Sequence, residues 1–329
     1  MLEHVLNLGN QLKTDLEVSQ GFTSIDYDRI LIVGMGGSGV AGDVLKLILN
    51  KHTNIDVEVR KTYNLTKNHS STRPFCLFIS YSGNTEETVS VAKDAINENL
   101  EWSVISSGGE LLELATKYNK NFVKVPTGLQ PRAAFGLMTK AVINFLPSSI
   151  KPNFLNACDD AGNYLNNLIE DVSNEVFDIS KNIANQIGTK TAVIYAGSEL
   201  TYLVAQRWKT QINENSKSKA YVGFMPEIHH NEILSWEADQ EGSKNNFILI
   251  LLRGDDHKKI DNRFEFTKEL IGSKVDILDV RNISSENLIK DLLHLVLIGD
   301  LVSVELANQL KIDPFNIDAI ENLKKKLKG

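Results

Sequence analysis

Along the first half of the chain, short apolar, β-branched runs alternate with stretches whose apolar positions recur at helical spacing. The strand-like runs are "RILIVG" (29–34), "IDVEVR" (55–60), "PFCLFIS" (74–80), "WSVISS" (102–107) and "NFVKV" (121–125). Helical patterns fill the gaps near 39–50, 84–99 and 109–118. Such alternation predicts a parallel sheet with crossover helices. The pattern then changes: "PRAAFGLMTKAVINFL" and the stretch from about 150 to 187 read as helices with no strand between them.

A second alternating series follows in "KTAVIYAG" (190–197), "KAYVGF" (219–224), "NNFILILLRG" (245–254) and "KVDILDV" (274–280). From 284 onward apolar residues repeat at helical spacing, and after Asp313-Pro314 comes a last amphipathic helix, "IDAIENLKKKL". The expected fold is therefore α/β: two tandem doubly wound parallel-sheet domains, residues 1–150 and 151–329, with a helical bridge and C-terminal helices. The length of 329 residues suits two domains of about 150 each. The duplication lies in the pattern and not in residue identity.

Composition narrows the function classes. Hydrophobic residues at 42% and charged residues at 23% are ordinary for a globular protein. A net charge of −7 offers no general attraction to nucleic acid or to an anionic membrane surface. No segment has the apolar length of a membrane span, and the start "MLEHVLNLGNQLKTD" lacks a basic region followed by an apolar one, so a cytoplasmic location is expected. The one basic run, Lys324-Lys325-Lys326 with Lys328, ends the last helix, where cations suit the macrodipole. Two distant cysteines, Cys76 and Cys158, argue against a disulfide framework, and Cys76 in "FCLFIS" reads as a buried small hydrophobe.

The candidate chemistry begins at "GMGGSGVAGD" (34–43), where Gly34-x-Gly36-x-x-Gly39 follows a strand and opens a helix. Backbone N–H groups and the positive end of a helix dipole then converge, which suits any phosphate. A dinucleotide site would also need an acidic residue about 20 positions on, at the end of the second strand. Here that strand ends in Arg60 and Lys61, which disfavours NAD and leaves NADP only through those two cations.

The third strand runs into "YSGNTEETVSVA", crowding Ser80, Ser82, Asn84, Thr85 and Thr88 at a strand end and a helix start. Asn84 with Glu87 has capping-box spacing, so some of these groups are expected to be caps. Two such loops at the carboxyl ends of neighbouring parallel strands would converge on one anion, and a single phosphate fits better than a pyrophosphate.

"GMGGSG", "SYSGNTEET" and "PRAAFG", with "NENSK" (213–217), "PEIHHNEI" (226–233) and "DPFNIDAIENLKKKL", resemble in order the bifunctional phosphoglucose/phosphomannose isomerases of the sugar isomerase (SIS) fold. The resemblance spans nearly the whole chain. It implies an aldose–ketose isomerase that interconverts glucose 6-phosphate and mannose 6-phosphate with fructose 6-phosphate, acting as a homodimer with no cofactor and no metal. Ring opening, a proton shift between C2 and C1, and an enediolate each call for particular residue types.

The family match makes Glu214 of "NENSK" the proton-transfer base, near a helix C-terminus where the dipole disfavours a carboxylate. It makes His230 the ring-opening group, supplied by the partner subunit, since imidazole can act as acid or base near neutrality. Arg132 would face the enediolate oxygens, its permanent charge suiting that role. Lys324 matches the C-terminal lysine, with Lys325 or Lys326 as alternatives. The phosphate would be held by Gly37, Ser38, Ser80, Ser82 and Thr85, with Arg132 lining the substrate.

Ile317 stands where some relatives carry a hydroxyl, which bears on glucose-versus-mannose preference. A metal reading of Glu227, His229, His230 and Glu232 competes, although adjacent histidines seldom face one ion. His229 is expected to pack or cap. The functional alternatives are a non-catalytic SIS-domain sugar-phosphate-binding regulator and a glucose-6-phosphate-specific isomerase.

Overall fold

The computed structural model describes residues 1–20, 22, 27–65, 73–171, 173–238 and 240–328, with backbone alone for Gln240, Leu327 and Lys328. The chain forms two compact units: Leu6–Asn167 with Asn287–Lys290, and Met1–Val5 with Leu168–Glu286 and Asp291–Gly329.

In chain order the first part carries α1 (Leu2–Leu6), α2 (Leu8–Lys13), β1 (Glu17–Val18), β2 (Arg29–Gly34), α3 (Gly36–His52), β3 (Asp56–Arg60) and β4 (Phe75–Ile79). There follow α4 (Glu86–Asn97), β5 (Trp102–Ser106), α5 (Gly109–Lys117), β6 (Phe122–Lys124), a 3-10 turn at Pro131–Ala133, α6 (Phe135–Ile143) and α7 (Lys151–Glu170). The first sheet has the order β1-β6-β5-β4-β2-β3. Every neighbouring pair in it is parallel except β1, a two-residue edge strand antiparallel to β6. Two residues are too short for any alternation to register, and pairing with β6 defines the strand: Val18 lies opposite Val123, and Glu17 forms an ion pair with Lys124 at 3.0 Å.

The interior strand β4, "FCLFI", is buried at every position, as a strand covered on both faces must be. On one face, Leu31, Val33, Cys76, Phe78, Trp102 and Val104 pack with Val89 and Ala92 of α4 and Leu111 and Ala115 of α5. Both cysteines are buried free thiols, and burial pushes each up to about 12.

The second series contains α8 (Glu175–Ile187), β7 (Thr191–Ala196), α9 (Glu199–Asn215), β8 (Ala220–Phe224), α10 (Gln240–Asn246), β9 (Phe247–Arg253), α11 (Lys258–Ile271) and β10 (Asp276–Arg281). Two helices end the chain, α12 (Leu288–Gln309) and α13 (Asp318–Lys328). The sheet is wholly parallel in the order β10-β9-β7-β8. Val193, Tyr195, Leu249 and Leu251 face Met225, Ile228, Trp236, Phe264 and Ile271 in its core. No helix of the described residues is long and apolar enough to cross a membrane.

Candidate functional site

Strands β2 and β4 end side by side, Gly34 opposite Ile79. From β2 the chain passes through α3 to β3 on one flank, while β4 lies on the other. The gap between β2 and β4 is thus the topological switch point, the crevice where open α/β sheets bind ligands. Two helices, α3 and α4, begin there, and neither has a side-chain cap on its first N–H groups. Two positive helix ends with uncapped donors open at adjacent strand ends, an arrangement suited to an anion.

Glycine permits the approach. Gly36 adopts φ +50°, and a Cβ on Gly37 would stand 3.2 Å from the Pro131 carbonyl oxygen and 3.5 Å from Arg132 Cα. The Pro131–Ala133 turn therefore packs directly on the glycine loop and buries Arg132 to 5% exposure.

The hydroxyl loop after β4 is tied to the same place. Ser38 Oγ accepts from the Tyr81 backbone N–H at 3.0 Å, which joins the two loops. Ser80 Oγ lies 2.7 Å from Thr85 Oγ1 and 3.5 Å from Ser82 Oγ, and it accepts from Gly83 N at 3.1 Å. Ser80 is fully buried, Thr85 half-buried and Ser82 exposed, so the cluster grades from the core to the mouth of the loop.

The capping expectation for Asn84 is corrected here. Thr85 is the N-cap residue of α4, but its hydroxyl bonds Ser80 and not a helix N–H. Asn84 Oδ1 accepts instead from Glu110 N at 3.0 Å, at the start of α5, because Gly83 and Gly109 at φ +68° bring the two turns together. Tyr81 was missed. Its hydroxyl donates to the Pro126 carbonyl at 2.9 Å and accepts from Leu129 N at 3.0 Å, steadying the segment that leads to Arg132. An aromatic residue within "SYSGN" was the available signal.

The second sheet has an equivalent switch point between β7 and β9, and there a side chain caps the start of each helix. Ser198 and Thr201 form a reciprocal capping box on α9. His257 caps α11, and Asp256 Oδ2 accepts from Gly254 N at 3.0 Å.

The remaining candidates stand on three elements of the second unit. Glu214 is the penultimate residue of α9 and is half-buried, and its backbone carbonyl accepts from Lys217 Nζ at 2.6 Å. His230 is the exposed last residue of the 3-10 turn Glu227–His230. Lys324, Lys325 and Lys326 are exposed on α13, and the Lys328 side chain lies outside the described residues.

His229 packs, as expected, against α11: Arg263 Nη1 donates to its Nδ1 at 3.0 Å, and Nε2 lies 2.9 Å from Thr267 Oγ1. Burial, then the Arg263 charge, holds its imidazole below the ordinary range. With both ring nitrogens engaged, and Glu227 Oε1 accepting from Asn231 at 3.1 Å, these neighbours do not gather on one ion. Among the described residues no group of three or more histidine, cysteine or acidic side chains is arranged to hold a metal.

The cations of the NADP reading are also engaged. Arg60 pairs with Glu58 and donates to the Asn64 carbonyl at 3.1 Å, and Lys61 Nζ reaches Asp43 Oδ2 at 2.7 Å.

A parallel α/β sheet with two uncapped helix starts at its switch point is consistent with the SIS-fold class, which the family profiles establish. The family profile "SIS domain" matches residues 25–110, and "Bacterial phospho-glucose isomerase C-terminal SIS domain" matches 178–327. The chain belongs to the bifunctional phosphoglucose/phosphomannose isomerase family. It is 33% identical over 339 residues to the protein of that name from Caldicellulosiruptor bescii, covering 99% of this chain and 98% of the relative. It is also 31% identical over 300 residues to the D-glucosamine-6-phosphate 4-epimerase of Sulfolobus acidocaldarius, with 91% and 89% covered. In fold it resembles the C-terminal domain of glucosamine-fructose-6-phosphate aminotransferase from Francisella tularensis, with a TM-score of 0.70, 13% identity, and 95% and 96% coverage.

Proposed function

We propose that this protein is an aldose–ketose isomerase converting glucose 6-phosphate and mannose 6-phosphate to fructose 6-phosphate and back. The observation that carries the reading is the contrast between the two switch points. In the first sheet two helix N-termini lack side-chain caps beside a hydroxyl cluster, whereas in the second each helix start carries a side-chain cap. The first is the place for a substrate phosphate, held by the Gly37 and Ser38 turn with Ser80, Ser82 and Thr85.

His230 of the partner subunit opens the sugar ring by moving a proton between O1 and the ring oxygen. Glu214 then takes the C2 proton of the open aldose and delivers it to C1, while a hydroxyl proton passes between O2 and O1. The charge that develops on the enediolate oxygens is met by Arg132, whose guanidinium keeps its positive charge throughout. Lys324, or Lys325 or Lys326 beside it, contacts the substrate. No step requires a metal or an organic cofactor. The protein acts as a cytoplasmic homodimer.

The decisive experiment incubates EDTA-treated protein with fructose 6-phosphate in D2O and follows the products by NMR. Glucose and mannose 6-phosphates carrying deuterium at C2 are expected. Binding without turnover would instead identify a sugar-phosphate-binding regulator, and a product altered only at C4 would place the protein with the epimerase relative.

A further inference from the structure

Helix α9 presents a buried face of mixed character. Leu203, Val204, Trp208 and Ile212 are apolar, but Arg207, Gln211 and Asn215, spaced four apart on the same line, are polar and at most 2% exposed. Each finds a partner on α12. Arg207 Nη2 donates to Asp300 Oδ2 at 2.6 Å, and Gln211 Nε2 donates to Asp300 Oδ1 at 3.0 Å. Asn215 Nδ2 donates to Ser303 Oγ at 2.9 Å, and Ser303 donates on to the Asp300 carbonyl at 2.7 Å. Trp208 Nε1 adds a bond to the Leu295 carbonyl at 2.8 Å.

A buried ion pair of this kind is a poor device for stability, since well-packed apolar side chains of similar volume commonly do as well or better. What it adds is direction. Apolar contact is indifferent to small rotations, whereas hydrogen bonds weaken steeply away from their preferred angles. The ladder ends at Asn215, one residue beyond Glu214. A side chain at the outer radius of a helix lies about 6 Å from the axis, so a rotation of about 20° displaces it by about 2 Å.

We propose that the buried ladder of Arg207, Gln211 and Asn215 with Asp300 and Ser303 positions Glu214, fixing the rotation and axial register of α9 so that the carboxylate meets the C2 proton. The inference rests on Glu214 being the base. The five ladder residues touch no substrate and are positioning residues.

The test is a triple variant, Arg207→Met with Gln211→Leu and Asp300→Leu, which keeps bulk and removes direction. The expected result is a folded protein with unchanged or raised Tm, unchanged KM for fructose 6-phosphate, and kcat lower by about 100-fold, the effect of misplacing a reacting group by about 1 Å. A ladder without a positioning role would spare kcat in the folded protein, whatever the change in Tm. A well-folded triple variant with full kcat, or one whose loss lies in KM, overturns the proposal.

Should the triple variant fail to fold, Ser303→Ala decides the matter, since it removes only the last rung. A smaller fall in kcat at constant KM is expected, and unaltered kcat overturns the proposal. Glu214→Gln in the native background separates the two readings: retained activity there removes the base assignment itself, whereas lost activity with a fully active ladder variant removes the ladder alone.

Discussion

At the scale of single residues, the hydroxyl cluster makes the most direct commitment. A hydrogen bond to a charged group contributes about 1.5–3 kcal/mol, so Ser82→Ala with Thr85→Ala should raise KM by about ten- to a hundredfold per hydroxyl. Steady-state kinetics on fructose 6-phosphate check this, and an unchanged KM would move the phosphate elsewhere. Glu214→Gln is nearly isosteric but cannot take a proton. Isomerisation should vanish in it while the far-ultraviolet spectrum and phosphate binding persist. His230→Ala should slow the cyclic sugar more than proton exchange into an open-chain analogue, because only the former needs the ring opened.

At the scale of elements, two contacts decide how the loops are held. The turn Glu227–His230 is fastened to α11 by His229, whose Nδ1 accepts from Arg263 while Nε2–H donates to Thr267, which in turn donates to the Arg263 carbonyl at 2.8 Å. Protonating that ring would place a cation against Arg263 and beside His230. Unfolded, the imidazole titrates at its ordinary value of 6.5, and in the fold burial and then these charges hold it lower. The unfolded chain therefore binds more protons in that window. This contribution to stability is present above pH 6.5 and is lost as pH falls through the lowered folded value. Thermal melts should show a steeper fall in Tm below that pH for the wild type than for His229→Gln, whose amide can both accept and donate.

The second contact is Gly83, at φ +68°, where a Cβ would collide with the Gly108 carbonyl oxygen. Gly83→Ala should destabilise the protein in denaturant titrations by more than the roughly 1–2 kcal/mol of the left-handed backbone alone.

For the whole molecule, the expectation is one site for both aldoses. Glucose and mannose 6-phosphates differ at C2, which becomes planar in the enediolate, so a site that admits rotation about C2–C3 can return the proton to either face. The two activities should compete, survive EDTA and disappear together in Glu214→Gln. Robust glucose 6-phosphate turnover without any from mannose 6-phosphate would show a glucose-specific enzyme, with the apolar Ile317 the first residue to change. If His230 of the partner subunit completes each site, the inactive Glu214→Gln and the impaired His230→Ala proteins should regain activity when subunits are exchanged. Each mixed dimer then holds one site with neither substitution.

Periodicity and glycine placement determined much of this protein from sequence alone. The nine strand-like runs all became strands, because buried parallel strands carry dense β-branched segments that short-range pattern reveals. The absence of an acid after β3 weighed against a dinucleotide for a reason that is local to that turn. Tertiary structure decided what depends on partners distant in the chain. The edge strand β1 exists only against β6, over a hundred residues away, and Asn84 satisfies α5 and not α4 because Gly83 and Gly109 fold their turns together. Tyr81 was marked only by its place in "SYSGN", and the α9–α12 ladder was invisible, since a buried polar side chain looks like an exposed one until its acceptor is found. Backbone preference acts through neighbours in sequence, whereas hydrogen-bond satisfaction is settled only when the folded chain brings donor and acceptor together.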